Sequence, residues 1–417
     1  MFPIVNDTVI FGIITFCLAF VFLSAQSKHH FWKKFYGVVP TLLLCYLLPA
    51  LLVNLKIISI DDSKLYFVSS RYLLPAALIL MTLSIDLKKI VRLGPKALLM
   101  FFTGTFGIII GGPIALMIVS VILPSAVDGI GFDAIWRGLA TIAGSWIGGG
   151  ANQATMLEVF QYTPSKYGSM VLVDILMANI WLAILLFGVG KSDRIDRWLK
   201  ADTSQIQNLI EKVSQFSQKV NRTPQTSDWI ILTGIAFLGV GTAHFFAPLI
   251  VDLMALVINE NSSLGIFESL KSNFLWMVVV ATIIGIALSF SSFKSYEGVG
   301  ASKIGGVFIY ILVATIGMQM DLSKILENPG LLLIGFVWIC IHAALLILVA
   351  KLTKSPFFFL AVGSQANVGG AASAPVIAAE FHPSLSSVGI LLAVFGYVVG
   401  TAGAYFCAVL MEIASTI

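Results

Sequence analysis

Charge is scarce in this sequence. Only 11% of its 417 residues are Asp, Glu, Lys or Arg, against roughly a quarter in an ordinary soluble domain. Hydrophobic residues make up 58% and the mean hydropathy is +0.96, more apolar surface than a soluble core could hide. Cysteine is also sparse. Cys17, Cys45, Cys340 and Cys407 each fall inside an apolar run, with no paired spacing, which speaks against a structural metal or a disulfide framework and leaves small packing residues. The net charge of +4 is modest, and the basic residues sit in short clusters between apolar runs, so nucleic acid is not an expected partner. No Gly-x-x-x-x-Gly-Lys-Ser/Thr loop occurs, so coupling to ATP would need another subunit. No basic segment precedes the first apolar run, near Val9, and no small-residue cleavage site follows it, so that run reads as a retained span.

What the chain has in abundance is apolar runs long enough to cross about 30 Å of hydrocarbon as helices. They lie near 8–25, 37–55, 65–85, 97–123, 134–158, 166–190, 229–257, 272–293, 304–320, 330–350, 355–379 and 384–411. The expectation is an all-α, polytopic, multi-pass protein of the cell (inner) membrane. Residues 191–228 form the one long polar connection. Ile206, Leu209, Ile210, Val213 and Phe216 recur there at helical spacing, which reads as an amphipathic helix in a cytoplasmic linker. That linker separates a first transmembrane repeat, 1–190, from a second, 229–417.

The two halves resemble each other. Asp86-Leu87-Lys88-Lys89-Ile90 is matched by Asp321-Leu322-Ser323-Lys324-Ile325. Farther on, the stretch from Gly144 to Ala154 (GSWIGGGANQA) is echoed by that from Gly363 to Ala374 (GSQANVGGAASA). The charges of matching loops are opposed: 86–96 carries Lys88, Lys89, Arg92 and Lys96, whereas 321–330 carries Lys324 with Asp321 and Glu327. By the positive-inside rule this implies inverted repeats. Twelve spans would place the matched segments an even number of passages apart, which gives parallel halves. One span is therefore miscounted, and the run 229–257, interrupted by His244 and Pro248, is the first suspect.

A glycine costs about 1 kcal/mol relative to alanine inside a helix, so Gly144, Gly148, Gly149 and Gly150, and Gly363, Gly369, Gly370 and Pro375, point to helices broken on purpose. In hydrocarbon, backbone groups freed in this way need protein or a wet cavity to satisfy them. Half-helix N-termini would there offer N–H groups to an anion, and unwound carbonyls could hold a cation. Ser145, Asn152, Gln153 and Thr155 from one half, with Ser364, Gln365, Asn367 and Ser373 from the other, are the candidate substrate-binding residues. Close helix packing would explain the glycines but not two amide-rich clusters. Asp174 lies mid-span, where a carboxylate costs at least about 2.5 kcal/mol to insert. It is the candidate coupling-ion ligand for Na⁺, with Asn152, or for H⁺. Arg71 and Asp252 sit nearer run ends and read as snorkelling to the interface. His244 and His342 have no ligand-spaced neighbours, and no metal is expected beyond a coupling Na⁺.

The Gly144–Thr155 stretch, the Asp174 helix, Gly300-Ala301-Ser302-Lys303-Ile304-Gly305, Ala314-Thr315-Ile316-Gly317 and Gly363–Pro375 together resemble the membrane-protein family catalogued as domain of unknown function 819. The resemblance covers nearly the whole chain. That family is grouped with the cation:proton antiporter and anion transporter superfamily, which includes sodium/proton antiporters, bile-acid sodium symporters and sodium/glutamate symporters. The resemblance implies a core that moves against a panel or dimerisation domain, with discontinuous helices at 140–157 and 361–377 crossing near the midplane, and Asp174 as the acid that binds the coupling ion. Val173 precedes Asp174, so the adjacent acid pair of electrogenic antiporters is missing. The expected function is a secondary active transporter, a Na⁺- or H⁺-coupled carrier of a small organic anion such as a carboxylate, an amino acid or a short acidic peptide. A sodium or potassium:proton antiporter is the near alternative, and a channel or receptor the alternative of another class. No enzyme activity is expected, since no second central acid or nucleophile accompanies Asp174, and no resident cofactor is implied. The expected partners are the solute, its coupling ion, the lipid bilayer and a second copy in a homodimer.

Overall fold

The computed structural model describes residues 3–37, 39–83, 90, 93–204, 206, 209–210, 223–257, 270–324, 327–382 and 385–416. Asp86 to Lys89 of the first loop motif, and Val213 and Phe216 of the linker, lie outside the described residues. Among the described residues every regular element is helical, and a single isolated bridge joins Ile4 to Ile58.

The helices are α1 (Asp7–Ala25), α2 (His30–Tyr36), α3 (Thr41–Asn54), α4 (Leu65–Leu83), α5 (Pro95–Ile122), α6 (Ile135–Gly148), α7 (Gly150–Phe160) and α8 (Tyr167–Val189). The linker contributes α9 (Ser192–Leu199). The second half has α10 (Thr226–Val257), α11 (Asn273–Ser289), α12 (Ala301–Gly317), α13 (Gly330–Thr353), α14 (Phe357–Val368), α15 (Gly370–Phe381) and α16 (Ser386–Ser415). Seven of these are long and apolar enough to cross a membrane, or up to nine if each bent helix pair counts as one span. The chain is a multi-pass α-helical membrane protein.

Local chemistry sets the helix ends and irregularities. Asn6 caps α1, accepting from the N–H of Thr8 and Val9 at 3.0 and 3.1 Å, which satisfies donors that the first turn leaves free. In α4 a π-turn spans Ser69–Leu73. Pro75 lacks the N–H that would bond the carbonyl four residues back, that of Arg71. His244 of α10 fills the vacancy, its Nε2 lying 2.9 Å from the Arg71 oxygen. A carbonyl only accepts, so His244 carries its proton on Nε2.

Two layers result. In one, α3 packs on α12, α4 on both α11 and α12, and α10 on α4 and α11, with α1 beside α3. In the other, α5 packs on α13, α14 and α16, α6 packs on α16, and α8 on α13.

The glycine-rich runs do not cross as broken spans. Each folds back as a helical hairpin. Gly149, at φ 76° and ψ −173°, separates α6 from α7, a conformation that disfavours any residue with a Cβ. Were α6 and α7 coaxial, Phe132 and Thr163 would be roughly 45 Å apart at 1.5 Å per residue; instead the Thr163 N–H donates to Phe132 O at 3.1 Å. Lys166 bonds Asp133 at 2.8 Å across the same root, and Trp136 stacks edge-on against Phe160. A Cβ on Gly144 would lie 2.6 Å from Asn152 O, so close approach of the two arms requires that glycine. The second hairpin turns at Gly369 and Gly370, the latter at φ 56°, and its root closes where Phe358 and Phe357 meet Phe381 at ring distances of 5.3 and 5.9 Å. The expected crossing helices at 140–157 and 361–377 are thus two hairpin turns. The miscount does not fall on 229–257: α10 runs unbroken through His244 and Pro248.

Candidate functional site

Hairpin geometry decides where the candidate side chains go. Asp174, 4% exposed at mid-α8, accepts from Trp146 Nε1 at 2.8 Å and from Gln153 Nε2 at 2.9 Å, one donor from each arm of the first hairpin. Ser145 is also within hydrogen-bonding reach. Among the described ion pairs none involves Asp174, so neutral donors alone compensate this carboxylate, as burial demands. On its far side, Gln153 Oε1 faces the Tyr46 hydroxyl of α3 at 3.5 Å.

Asn152 points elsewhere. Its Nδ2 donates to Gly148 O at 2.8 Å and its Oδ1 accepts from Thr401 of α16 at 2.6 Å. Asn152 and Asp174 therefore occupy neighbouring but separate networks, and no hydrogen bond joins them. Thr155 bonds its own helix at Ala151 O.

In the second hairpin Asn367 bonds α5, accepting from Thr105 at 2.7 Å and donating to Phe101 O and Gly363 O at 3.0 and 2.9 Å. Ser364 sits between Trp181 Nε1 and His342 Nε2, both at 2.8 Å. The other ring nitrogen of His342, Nδ1, meets Gly104 O at 3.0 Å. That carbonyl only accepts, so Nδ1 carries the proton and Nε2 accepts from Ser364. His342 is a satisfied neutral core histidine. Gln365 Nε2 donates to Ser373 Oγ at 2.7 Å, while its buried Oε1 has no partner.

The two clusters converge on one helix. A Cβ on Gly396 of α16 would lie 2.8 Å from Ile147 O of the first hairpin and 3.6 Å from Ala366 O of the second. A Cβ on Gly400 would meet Gly148 Cα and Asn152 Nδ2, each at 2.6 Å. Bare backbone on α16 is what lets both hairpins reach it. The tips differ in packing: Asn152 and Gln153 are buried, whereas Ala371 and Ala372 are exposed. No side chain caps α7 or α15; in α7 the Asn152 and Gln153 N–H groups already donate to Gly149 O at 3.0 and 3.1 Å, so the donors left to offer there are those of Gly150 and Ala151.

Several residues that pattern alone did not mark belong to these networks. Thr105, Thr401, Trp146, Trp181 and Tyr46 are ordinary members of apolar runs, and only the fold places them against the amides. The Arg71 guanidinium pairs with Glu158 of α7 at 2.8 Å and lies 4.4 Å from the Phe274 ring centre. Asp252 is exposed on α10.

A cavity of about 400 Å³ opens at the root of the first hairpin, lined by Asp128, Asp133, Tyr162, Lys166, Lys324 and Glu327 among others. It lies away from the tips. Lys166 and Thr163 both donate to Asp133 and hold its carboxyl below the usual carboxylate range.

Comparison with known proteins agrees with a membrane protein. A family described as "Protein of unknown function (DUF819)" matches residues 12–414. The chain is also similar to the uncharacterized membrane protein YjcL of Bacillus subtilis (strain 168). They are 26% identical over 352 residues, which cover 81% of this chain and 82% of that protein.

Proposed function

The chain belongs to the DUF819 family, and we propose that it is a secondary active transporter, a Na⁺- or H⁺-coupled carrier of a small organic anion that works by alternating access. The observation that supports this most is the pair of glycine-hinged hairpins whose uncapped, amide-bearing tips meet on α16. Uncapped helix N-termini favour an anion, and Asp174 beside them suits a coupling cation.

With both hairpins re-entrant and the 17-residue apolar helix α12 counted as a tenth passage beside the nine spans above, the passages are α1, α3, α4, α5 and α8 in the first half and α10, α11, α12, α13 and α16 in the second. Five passages separate the hairpins, an odd number, so they enter from opposite faces and the repeats are inverted. Contacts support this assignment: Lys96 Nζ bonds Lys354 O at 3.0 Å on one face, and Asp321 N bonds Ser165 O at 3.1 Å on the other. The first face bears Lys28, Lys33, Lys34, Lys351 and Lys354, the second Asp61, Asp62, Asp128, Asp133 and Glu327. By the positive-inside rule the first is cytoplasmic in the cell membrane. The panel would be the layer of α3, α4, α11 and α12, against which the hairpin-bearing layer moves, in line with the antiporter and anion transporter superfamily.

Proteoliposome flux tests the reading. Uptake of labelled carboxylates and amino acids that rises with an imposed Na⁺ or H⁺ gradient is the expected result. Gradient-driven cation exchange with no organic solute would instead establish a sodium or potassium:proton antiporter, a reading favoured by the buried, singly placed Asp174. Non-saturable flux would indicate a channel.

A further inference from the structure

Four amide side chains sit near the hairpin tips, and the protein itself occupies three of them. Asn152 bonds Gly148 O and Thr401, Gln153 bonds Asp174 and Tyr46, and Asn367 bonds Thr105, Phe101 O and Gly363 O. In each the nitrogen donates and the oxygen accepts, so helix packing accounts for them. Gln365 differs. It is 1% exposed, and its Nε2 donates to Ser373 Oγ at 2.7 Å, yet among the described residues nothing donates to Oε1. A buried carbonyl oxygen without a donor is costly, and native structures keep few of them.

The surroundings of Gln365 point to a ligand. Its carboxamide lies along the first turn of α15: Ser373 belongs to that turn, and a Cβ on Gly369 would lie 2.1 Å from Nε2. No side chain caps the turn, so its N–H groups keep donors for an anion. The tip is also open, since Ala371 and Ala372 are exposed and a Cβ on Gly370 would meet nothing within 4 Å. The corresponding turn of the first hairpin is closed, with Asn152 and Gln153 buried. From Phe357 to Ala379 the sequence has no charged residue. A carboxylate there would be balanced only by the helix terminus, about half an elementary charge. A solute with its own cation one carbon away brings that balance, together with the donor that Oε1 lacks.

We propose that the second hairpin takes an α-amino acid as its zwitterion, the carboxylate on the first-turn N–H groups of α15 and the ammonium donating to Gln365 Oε1. This narrows the carrier reading above and rests on it. Gln365 then sets specificity. A carboxylate without an amine leaves Oε1 unpaired, and a site built around a hydrogen bond rejects the analogue that lacks it. Ser373 is a positioning residue, since its hydroxyl holds Nε2 and so fixes the amide.

The test gives full-length protein in proteoliposomes the common L-amino acids and, separately, the matching carboxylic acids without the amine, under Na⁺ and H⁺ gradients. Uptake is read by mass spectrometry. For the amino acid carried best, the matching carboxylic acid is expected to compete at least about tenfold more weakly. Gln365→Met keeps the length and loses both hydrogen-bonding groups, and is expected to remove that preference. Gln365→Glu keeps an acceptor oxygen and is expected to retain it. Thermal unfolding in nanodiscs confirms that each variant is folded; should Gln365→Met not insert, the preference of the parent and of Gln365→Glu still decides. Carboxylic acids carried as well as their amino acids would overturn the inference and leave the carrier reading standing. A preference that persists in folded Gln365→Met would also overturn it, since the ammonium would then be bound elsewhere. If neither class is taken up under any gradient, the carrier reading fails and this inference fails with it.

Discussion

Arg71 of α4 and Glu158 of α7 form an ion pair at 2.8 Å that ties the outgoing arm of the first hairpin to the opposite layer. Tyr66 donates to the same carboxylate, and Phe274 of α11 lies 4.4 Å from the guanidinium carbon. The side chains are 27% and 13% exposed, so the pair is shielded from solvent more than a surface bridge. An alternating-access cycle that slides one layer past the other has to break this contact.

Arg71→Met and Glu158→Gln are each expected to lower stability by about 1–3 kcal/mol, less than for a fully buried pair because both groups keep some solvent. The charge-swapped double variant should recover part of the loss. Thermal unfolding in nanodiscs measures it, and a swap no better than the single changes would mean that the pair is incidental.

Gly400→Ala is expected to be costly, since its Cβ would strike Gly148 Cα and Asn152 Nδ2 at 2.6 Å and overpacking costs about 1–3 kcal/mol. Transport should fall with it because the first hairpin tip is displaced. Gly241→Ala in α10 meets nothing within 4 Å and should be neutral or slightly stabilising. Equal losses at the two positions would refute tip packing as the cause.

Ser364→Ala leaves the Trp181 N–H without an acceptor and His342 Nε2 without a donor. A loss of about 1–3 kcal/mol is expected for orphaned buried groups. Ser364→Thr keeps the hydroxyl and should retain more stability than Ser364→Ala if its extra methyl fits. If Ser364→Ala unfolds at the parent temperature yet loses uptake, the hydroxyl acts on the solute rather than on the fold.

The root of the first hairpin has an acid limit. Asp133 is held below the usual carboxylate range in the folded protein, so it binds protons less readily there than in the unfolded chain. Its contribution to stability is present above the unfolded value of about 4 and is lost as the pH falls through the lower folded value. Hydrogen exchange of 130–166 should be flat through neutral pH and loosen only under acid, and Asp133→Asn should remove that acid limb. A change near pH 7 would place the titrating group elsewhere.

Asp174→Asn should abolish the Na⁺ or pH dependence of uptake while the protein still inserts, because Asn keeps the size and loses the charge. Its Nδ2 would oppose the donor from Trp146 or Gln153, so a small stability loss is also expected. Ion-dependent accumulation that persists in the variant would assign Asp174 a structural role, that of orienting the first hairpin.

The residues alone determined the solvent of this chain, because apolar runs with so little charge have no alternative to a bilayer. They also determined where helices break: Gly149 and Gly370 take backbone angles that a Cβ resists, and their neighbours Asn152, Gln153, Gln365 and Asn367 are costly in hydrocarbon unless satisfied. Asp174 stood out for the same reason. What local sequence could not decide is the direction in which a broken helix continues. A positive-φ glycine permits a kink in a crossing span as readily as a reversal, and the choice is made by contacts remote in sequence, Thr163 with Phe132, Lys166 with Asp133, Phe358 with Phe381. The tertiary structure likewise decided that Asn152 serves Thr401 rather than Asp174, and that Arg71 finds Glu158. A side chain in a membrane bonds whichever partner packing brings within reach, and packing is a property of the whole chain.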